Sequence, residues 1–409
     1  MKNKFLAEMN SRGYLSQCTD FNKLQAISEK KSISAYIGFD CTAKSLHVGS
    51  LLQIMILKMM QKYGHRPIVL LGGGTTLIGD PSGKDSTRKI LEKKEIDNNI
   101  KSIKKAFNKI LDTSNKKTKP IFVDNAKWLT KLNYIKFLRD IGSHFTINKM
   151  LTFESVKLRL EREQSLSYME FNYMILQAYD FYQLHKKNNC ILQIGGSDQW
   201  GNIVNGVELI KRHTGKQVYG LTTPLITLAS GAKMGKTEEG AVWLDPKLLS
   251  AYDYWQFWRN TDDNDVIRFI KMYTDKSINE IENIKNRDIN KLKIILANEA
   301  TAMLHGKIAA LNAEKTAKET FIDGIAGKNL PVINLKKKQG NKFNILELVL
   351  ASKLLKSKGE VRRAIKNNGI KINDTTILDD KLIVDFNKYD KNSCKLSFGK
   401  KKHIVVKLI

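Results

Sequence analysis

Cysteine is scarce. Cys18, Cys41, Cys190 and Cys394 are scattered over 409 positions. No two form a CxxC, so neither a disulfide framework nor a zinc site is expected, and the usage fits a reducing cytoplasm. The seven histidines show no HExxH or similar spacing, so no protein-bound metal is expected. No apolar run approaches ~20 residues, which argues against a membrane-spanning helix. Residues 1–12 mix charged and polar groups without an apolar stretch, so no secretory signal is expected. Acidic residues are also few, 41 against 69 lysines and arginines, for a net charge of +28. An excess of that size favours a polyanionic partner, although lysines also simply solvate surfaces.

What is present is enough for several domains. The chain is 42% hydrophobic, and its length predicts two or three units. Residues 1–31 read as a helical arm. A β-rich run at 32–39 then leads through YIGFDCTAKSLHVGS at 36–50 into an apolar-periodic run at 51–63. A strand gives way to a helix there, with Gly49 and Ser50 at the helix start. Unpaired N–H groups and the positive end of the helix dipole make such a place a seat for phosphate. His47 beside it is suited to donate to phosphate oxygens; the alternative is a structural turn with one polar histidine.

A second strand at 68–71 runs into GGGTTLIGDPSGKD at 72–85. Strand, helix, strand and glycine-rich turn open a parallel α/β sheet, whose ligands bind at the carboxyl ends of strands. The loop is not a Walker A motif: Ile78 stands where its first glycine belongs, and Asp85 follows Lys84. It is not GxGxxG either, because Leu77 occupies the last glycine position. It leaves a turn carrying Asp80, Lys84 and Arg88, in which Asp80 suits an ammonium group.

A Lys-rich helix at 92–111, a strand at 120–124 ahead of Asn125 and Trp128, and a largely helical stretch at 131–186 follow. Within it, Tyr173, Gln177 and Asp180 fall at i, i+4 and i+7, one helix face. A strand at 190–194 ends in GGSDQWG at 195–201 and opens another helix. Asp198 at that turn suits a ribose diol. A β-like run at 221–228 precedes SGAKMGKT at 230–237, a basic loop whose Lys233 and Lys236 can clamp phosphates. Residues 246–323 read as helical with few glycines. A linker at 326–341 contains Pro331 and a run of three lysines at 336–338. The last unit joins a helix at 345–355, a basic helix at 360–367 with Arg362, Arg363 and Lys366, and strands at 370–373, 394–398 and 403–409. Residues 326–409 hold twenty basic and seven acidic residues, a net +13, and offer an RNA-reading surface.

Two signatures in this order, LHVGS at 46–50 and KMGKT at 233–237, resemble those of the class I aminoacyl-tRNA synthetases. The fuller set adds YIGFD at 36–40, GDPSG at 79–83, Tyr173, Gln177 and Asp180, and QIGGSDQW at 193–200. It is similar to the bacterial tyrosyl-tRNA synthetases over roughly residues 30–325. The last unit is similar to the small RNA-binding domain those enzymes share with a ribosomal protein. Several motifs in the right order weigh more than any one. The family's first signature usually ends in a second histidine where this chain has Ser50. A serine at a helix start can cap it and reach a phosphate.

The resemblance implies an α/β fold: a Rossmann-like parallel-sheet catalytic domain (1–245), an all-α, anticodon-side domain (246–325), the linker (326–341) and a small α+β RNA-binding domain (342–409). It implies ATP as substrate, with Mg2+ accompanying it, and L-tyrosine and tRNA(Tyr) as partners of a cytoplasmic homodimer. His47, Lys233, Lys236 and Thr237 would serve the reacting phosphates. Asp40, Thr42, Gly49, Ser50, Gly196 and Asp198 would complete the ATP site. Tyr36 and Asp180 would hold the substrate phenol, Asp80, Tyr173 and Gln177 its amino group, and Gln199 would lie near its carboxylate. Two rivals are a tryptophanyl-tRNA synthetase of the same fold and an RNA-binding protein with a relict nucleotide domain. The phenol-matched Tyr36 and Asp180 argue against the first, and the intact His47, Asp198, Lys233 and Lys236 against the second.

Overall fold

The computed structural model describes residues 4–80, 91–229, 231, 234–237, 240–321, 330–337, 339–399 and 402–409. These fall into two compact units: 1–249 with 260–304, and 250–259 with 305–409. Lys84, Arg88 and Lys233 lie outside the described residues.

The first unit is built on a six-stranded sheet: β1 (Gln17–Cys18), β2 (Ser34–Phe39), β3 (Arg66–Leu71), β4 (Ile121–Asp124), β5 (Cys190–Gly196) and β6 (Tyr219–Thr223). The spatial order is β1-β6-β5-β2-β3-β4. Every pairing is parallel except that of β1 with β6. Strands β2 and β3 are buried on both faces, and their continuous apolar sequence is what a helix-covered parallel sheet demands. Tyr36 stands between Ile68 on β3 and Gln193 on β5. The polar turns after β2, β3 and β5 gather at one edge of the sheet, as sequence order anticipates. The last strand ends at Thr223, short of the β-like run expected to reach 228.

Helices α1 (Phe5–Ser11), α2 (Phe21–Lys30), α3 (Val48–Lys62) and α4 (Lys93–Ile110) precede β4. Short helices α5 (Ala126–Leu129), α6 (Tyr134–Asp140), α7 (Ile147–Leu151) and α8 (Glu154–Glu161) follow it. Then come α9 (Tyr168–Asn188) and α10 (Trp200–Thr214). A reciprocal Ser167–Glu170 capping box starts α9 and Asn189, at φ 49°, ends it. Beyond β6 lie a two-stranded hairpin, β7 (Lys236–Thr237) with β8 (Gly240–Ala241), and helices α11 (Ala251–Arg259), α12 (Val266–Tyr273), α13 (Ile278–Ile284), α14 (Ile289–His305) and α15 (Lys307–Phe321).

Most of α12 to α14 clusters with the sheet, and the N-terminal arm explains why. Buried Arg12 donates to the carbonyls of Lys271 (2.6 Å), Thr274 (3.3 Å) and Lys276 (2.7 Å), and the Tyr14 hydroxyl donates to that of Met272 (2.5 Å). These satisfy the orphan carbonyls at the α12 terminus. Among the described residues no helix is long and apolar enough to cross a membrane.

The second unit contains α11 and α15, and a small α+β assembly. Its strands are β9 (Val332–Leu335), β10 (Lys342–Asn344), β11 (Ile370–Ile372), β12 (Thr375–Thr376), β13 (Ile383–Asp385), β14 (Ser393–Phe398) and β15 (Lys402–Leu408), and its helices α16 (Ile345–Ala351) and α17 (Lys358–Lys366). The five-stranded sheet has the order β12-β11-β14-β15-β9. Strand β9 lies within the stretch read as linker: Val332-Ile-Asn-Leu335 pairs parallel with β15. Its alternating exposure is that of an edge strand.

Candidate functional site

The residues expected to receive the substrate phenol stand on β2 and α9, with α5 beside them. Tyr36 points from mid-β2 toward Phe181, the ring centroids 5.3 Å apart. Its hydroxyl is buried and has no hydrogen-bond partner among the described residues. Burial, and after it the negative charge of Asp180, raise its pKa well above that of an ordinary phenol. Asp180 is 1% exposed. Its Oδ2 accepts from Asn125 Nδ2 at 2.8 Å and its Oδ1 from Trp128 Nε1 at 2.7 Å. Burial pushes the carboxyl up to about 7; the two donors oppose that, and nearby Asp124 adds to it. Tyr36 and Asp180, 144 positions apart in the chain, are thus brought together.

Asn125 and Trp128 are the residues that sequence reasoning left without a role. Asn125 also accepts from the Gly74 amide (2.7 Å) and donates to Thr75 Oγ1 (3.0 Å), tying the glycine-rich turn to the pocket. Lys187 Nζ lies 5.1 Å from the centre of the Trp128 ring. No motif marks these two. The only hint was a polar and an aromatic residue directly after a strand end.

Tyr173 and Gln177 lie one turn apart on α9, with Tyr173 and Asp180 buried and Gln177 half-buried. Asp80 is buried and accepts from Gln199 Nε2 at 2.8 Å. Gln199 Oε1 accepts from Asn202 Nδ2 at 3.1 Å, which fixes which way the Gln199 amide faces. A buried carboxylate beside an oriented amide can receive an ammonium and a carboxylate on adjoining groups. Gly196 ends β5, and exposed Asp198 follows it on a 3-10 turn. Asp40 and Thr42 stand just past β2.

The helix start differs from the sequence reading. His47, not Gly49 or Ser50, is the N-cap of α3, and it caps with its ring: Nδ1 accepts the Gly49 N–H at 3.0 Å. Ser50 is the third residue of the helix, its own N–H bonded to the His47 carbonyl at 2.8 Å. Imidazole caps are uncommon, and serine is the usual choice. For that reason the sequence pointed to the wrong residue. Of the basic loop, Met234 and Gly235 are buried, and Lys236 and Thr237 form β7. The base of the loop is held from α12 and the turn ahead of it: buried Asp265 accepts the Ala229 N–H at 2.7 Å, and Arg268 donates to the Thr227 carbonyl. In the second unit, Arg362, Arg363 and Lys366 are exposed on α17, and Arg362 bonds Asp380 at 3.1 Å.

The family model "tRNA synthetases class I (W and Y)" matches residues 28–322. A tyrosine–tRNA ligase of Pelagibacter ubique is 64% identical over 408 residues, covering 100% of both chains. One of Rickettsia rickettsii is 52% identical, covering 99% of this chain and 100% of its own. The crystal structure of a C-terminally truncated mitochondrial tyrosyl-tRNA synthetase of Aspergillus nidulans superposes with a TM-score of 0.70 at 29% identity, covering 78% of this chain and 94% of that one. The chain therefore belongs to the class I tRNA synthetases of the W and Y group and, within it, to the bacterial tyrosyl-tRNA synthetases.

Proposed function

We propose that the chain activates L-tyrosine with ATP and transfers the tyrosyl group to the 3′-terminal ribose of tRNA(Tyr), working in the cytoplasm as a homodimer. In the first step a tyrosine carboxylate oxygen attacks the α-phosphorus. The bond from that phosphorus to the bridging oxygen breaks, and pyrophosphate leaves. In the second, a ribose hydroxyl attacks the activated carbonyl and AMP leaves. No side-chain nucleophile is required. Catalysis is positioning plus stabilisation of developing phosphate charge.

His47, Lys233, Lys236 and Thr237 serve the reacting phosphates. Asp40, Thr42, Gly49, Ser50, Gly196 and Asp198 hold the rest of ATP, which enters as its Mg2+ complex. Asp80, Tyr173 and Gln177 take the substrate ammonium and Gln199 its carboxylate. Residues 1–245 carry the chemistry, and 342–409 carry RNA contacts through Arg362, Arg363 and Lys366. Exposed Tyr134, Ile135, Ile147, Leu151, Leu160 and Tyr168, on successive helices α6 to α9, offer apolar side chains to a second copy and so support the dimer.

The observation that carries the reading is the Tyr36 hydroxyl, buried and unpartnered among the described residues beside a buried Asp180 carboxylate. A carboxylate has about four acceptor sites, so Asp180 can take a third donor beyond Asn125 and Trp128. A substrate phenol donates to Asp180 and accepts from Tyr36, completing both. Phenylalanine leaves both short of a bond, and tryptophan does not match the geometry of a para hydroxyl. Pyrophosphate exchange with tyrosine, phenylalanine and tryptophan in parallel tests this. Exchange should depend on tyrosine. Exchange with tryptophan alone, or RNA binding without exchange, would overturn the reading.

A further inference from the structure

The two nucleotide signatures meet on one face of the His47 ring. Because Nδ1 accepts the Gly49 N–H, it carries no proton, and the neutral ring is protonated on Nε2. Residues 46–48 also pair with 242–244. The Val48 N–H donates to the Val242 carbonyl and the Leu244 N–H to the Leu46 carbonyl, both at 2.9 Å. His47 and Trp243 form an antiparallel bridge, with ring centroids 6.5 Å apart. Gly235 of the basic loop lies directly over the capping bond. A Cβ on Gly235 would stand 2.4 Å from His47 Nδ1 and 2.8 Å from the Gly49 nitrogen, and Gly235 has φ +101°. A Cβ on Gly49 would stand 2.7 Å from the Met234 carbonyl oxygen and 2.7 Å from His47 Cε1. The two glycines face each other across one hydrogen bond with no room for a side chain.

We propose that Gly235 is a positioning residue for adenylate formation. Its bare backbone lets the basic loop rest on the Nδ1 side of His47. That contact shields the capping bond and holds the Nε2–H tautomer of the histidine that serves the phosphates. The proposal rests on His47 serving those phosphates.

The test is a double-mutant cycle of Gly235→Ala and His47→Ala in full-length enzyme, read by tyrosine-dependent pyrophosphate exchange. Gly235→Ala should lower the exchange kcat about 10²-fold, the usual loss for a displaced phosphate donor. The tyrosine Kd should stay within about twofold, because the amino-acid pocket shares none of these contacts. In the His47→Ala background the same change should cost clearly less than in wild type, what remains being the clash with the Gly49 nitrogen and the strain of an alanine at φ +101°. Gly49→Ala, which invades the same bond from the other side, should behave alike. The 15N resonances of His47 in selectively labelled protein should show a bare Nδ1 in wild type and lose that signature in Gly235→Ala. A Gly235→Ala enzyme with unchanged kcat, or losses that multiply in full in the double mutant, would overturn the proposal. If His47→Ala alone left exchange intact, the phosphate role of His47 would fail instead, and the proposal with it.

Discussion

Replacing Asp180 with asparagine should make the protein more stable and less selective at once. The Asp180 carboxyl sits at about 7 in the fold against an ordinary 3.8. That gap, about 3 units at ~1.4 kcal/mol each, means the ionised group costs the folded state on the order of 4 kcal/mol at pH 8. The direction follows from proton binding. The folded state holds this proton more tightly than the unfolded chain does. The group's contribution is therefore fully favourable below 3.8 and is lost as pH rises through 7. The asparagine side chain removes the charge and keeps the shape. Its oxygen can satisfy only one of Asn125 and Trp128, and its NH2 faces the other donor, a loss of about 1–3 kcal/mol. The net gain at pH 8 is roughly 1–3 kcal/mol by these two figures. Urea unfolding at pH 8 and pH 5.5 checks it: the variant should lead at pH 8 and lose that lead at pH 5.5. The same enzyme should discriminate tyrosine from phenylalanine about 10–10²-fold less well in exchange, the worth of one charge-assisted bond. A variant less stable at both pH values, with discrimination intact, would refute the reasoning.

Other predictions follow from the same contacts. Trp128→Phe keeps the ring and deletes the Nε1 donor to Asp180; it should raise the tyrosine KM about tenfold with little change in the ATP KM, and equal shifts in both would argue against the role assigned to it. Wild-type tyrosine KM should climb as pH falls through about 7, when Asp180 takes a proton and loses acceptor capacity, and this limb should vanish in Asp180→Asn. Changing Arg362, Arg363 and Lys366 together to alanine should weaken tRNA binding and flatten its salt dependence by about 0.7–0.9 per lost phosphate contact, leaving exchange untouched. A drop in exchange would show that α17 acts on the fold instead.

Local pattern was enough to read strands β2 to β5 of the sheet, but not β1, which lies in the stretch read as a helical arm. Strands β2 and β3 are largely apolar runs, β3 ahead of a glycine-rich turn, and one face of α9 announced Tyr173, Gln177 and Asp180 by helical spacing alone. What escaped was set by distant partners. Asn125 and Trp128 serve a carboxylate 55 and 52 positions away, and no local pattern encodes that. Residue preference pointed to Ser50 as the cap of α3, while the fold used the His47 ring. Helices α12 to α14 read as a separate domain because their glycine-poor pattern changes abruptly; Arg12 and Tyr14, some 260 positions earlier, join them to the sheet. Strand β9 was hidden by a composition of Pro, Gly and Lys around a short alternating run. Except at the α3 cap, whose bond from the Gly49 N–H to His47 Nδ1 is local, the missing information was a hydrogen bond between elements far apart in sequence.

The proposed amino-acid specificity depends on the Tyr36 hydroxyl and the Asp180 carboxylate receiving one substrate phenol. The most direct measurement is kcat/KM for tyrosine and for phenylalanine in wild type and in Tyr36→Phe, by pyrophosphate exchange. Removing that hydroxyl should lower kcat/KM for tyrosine by about 10-fold or more while leaving that for phenylalanine unchanged or improved. Equal losses for both amino acids, or none for either, would contradict the account.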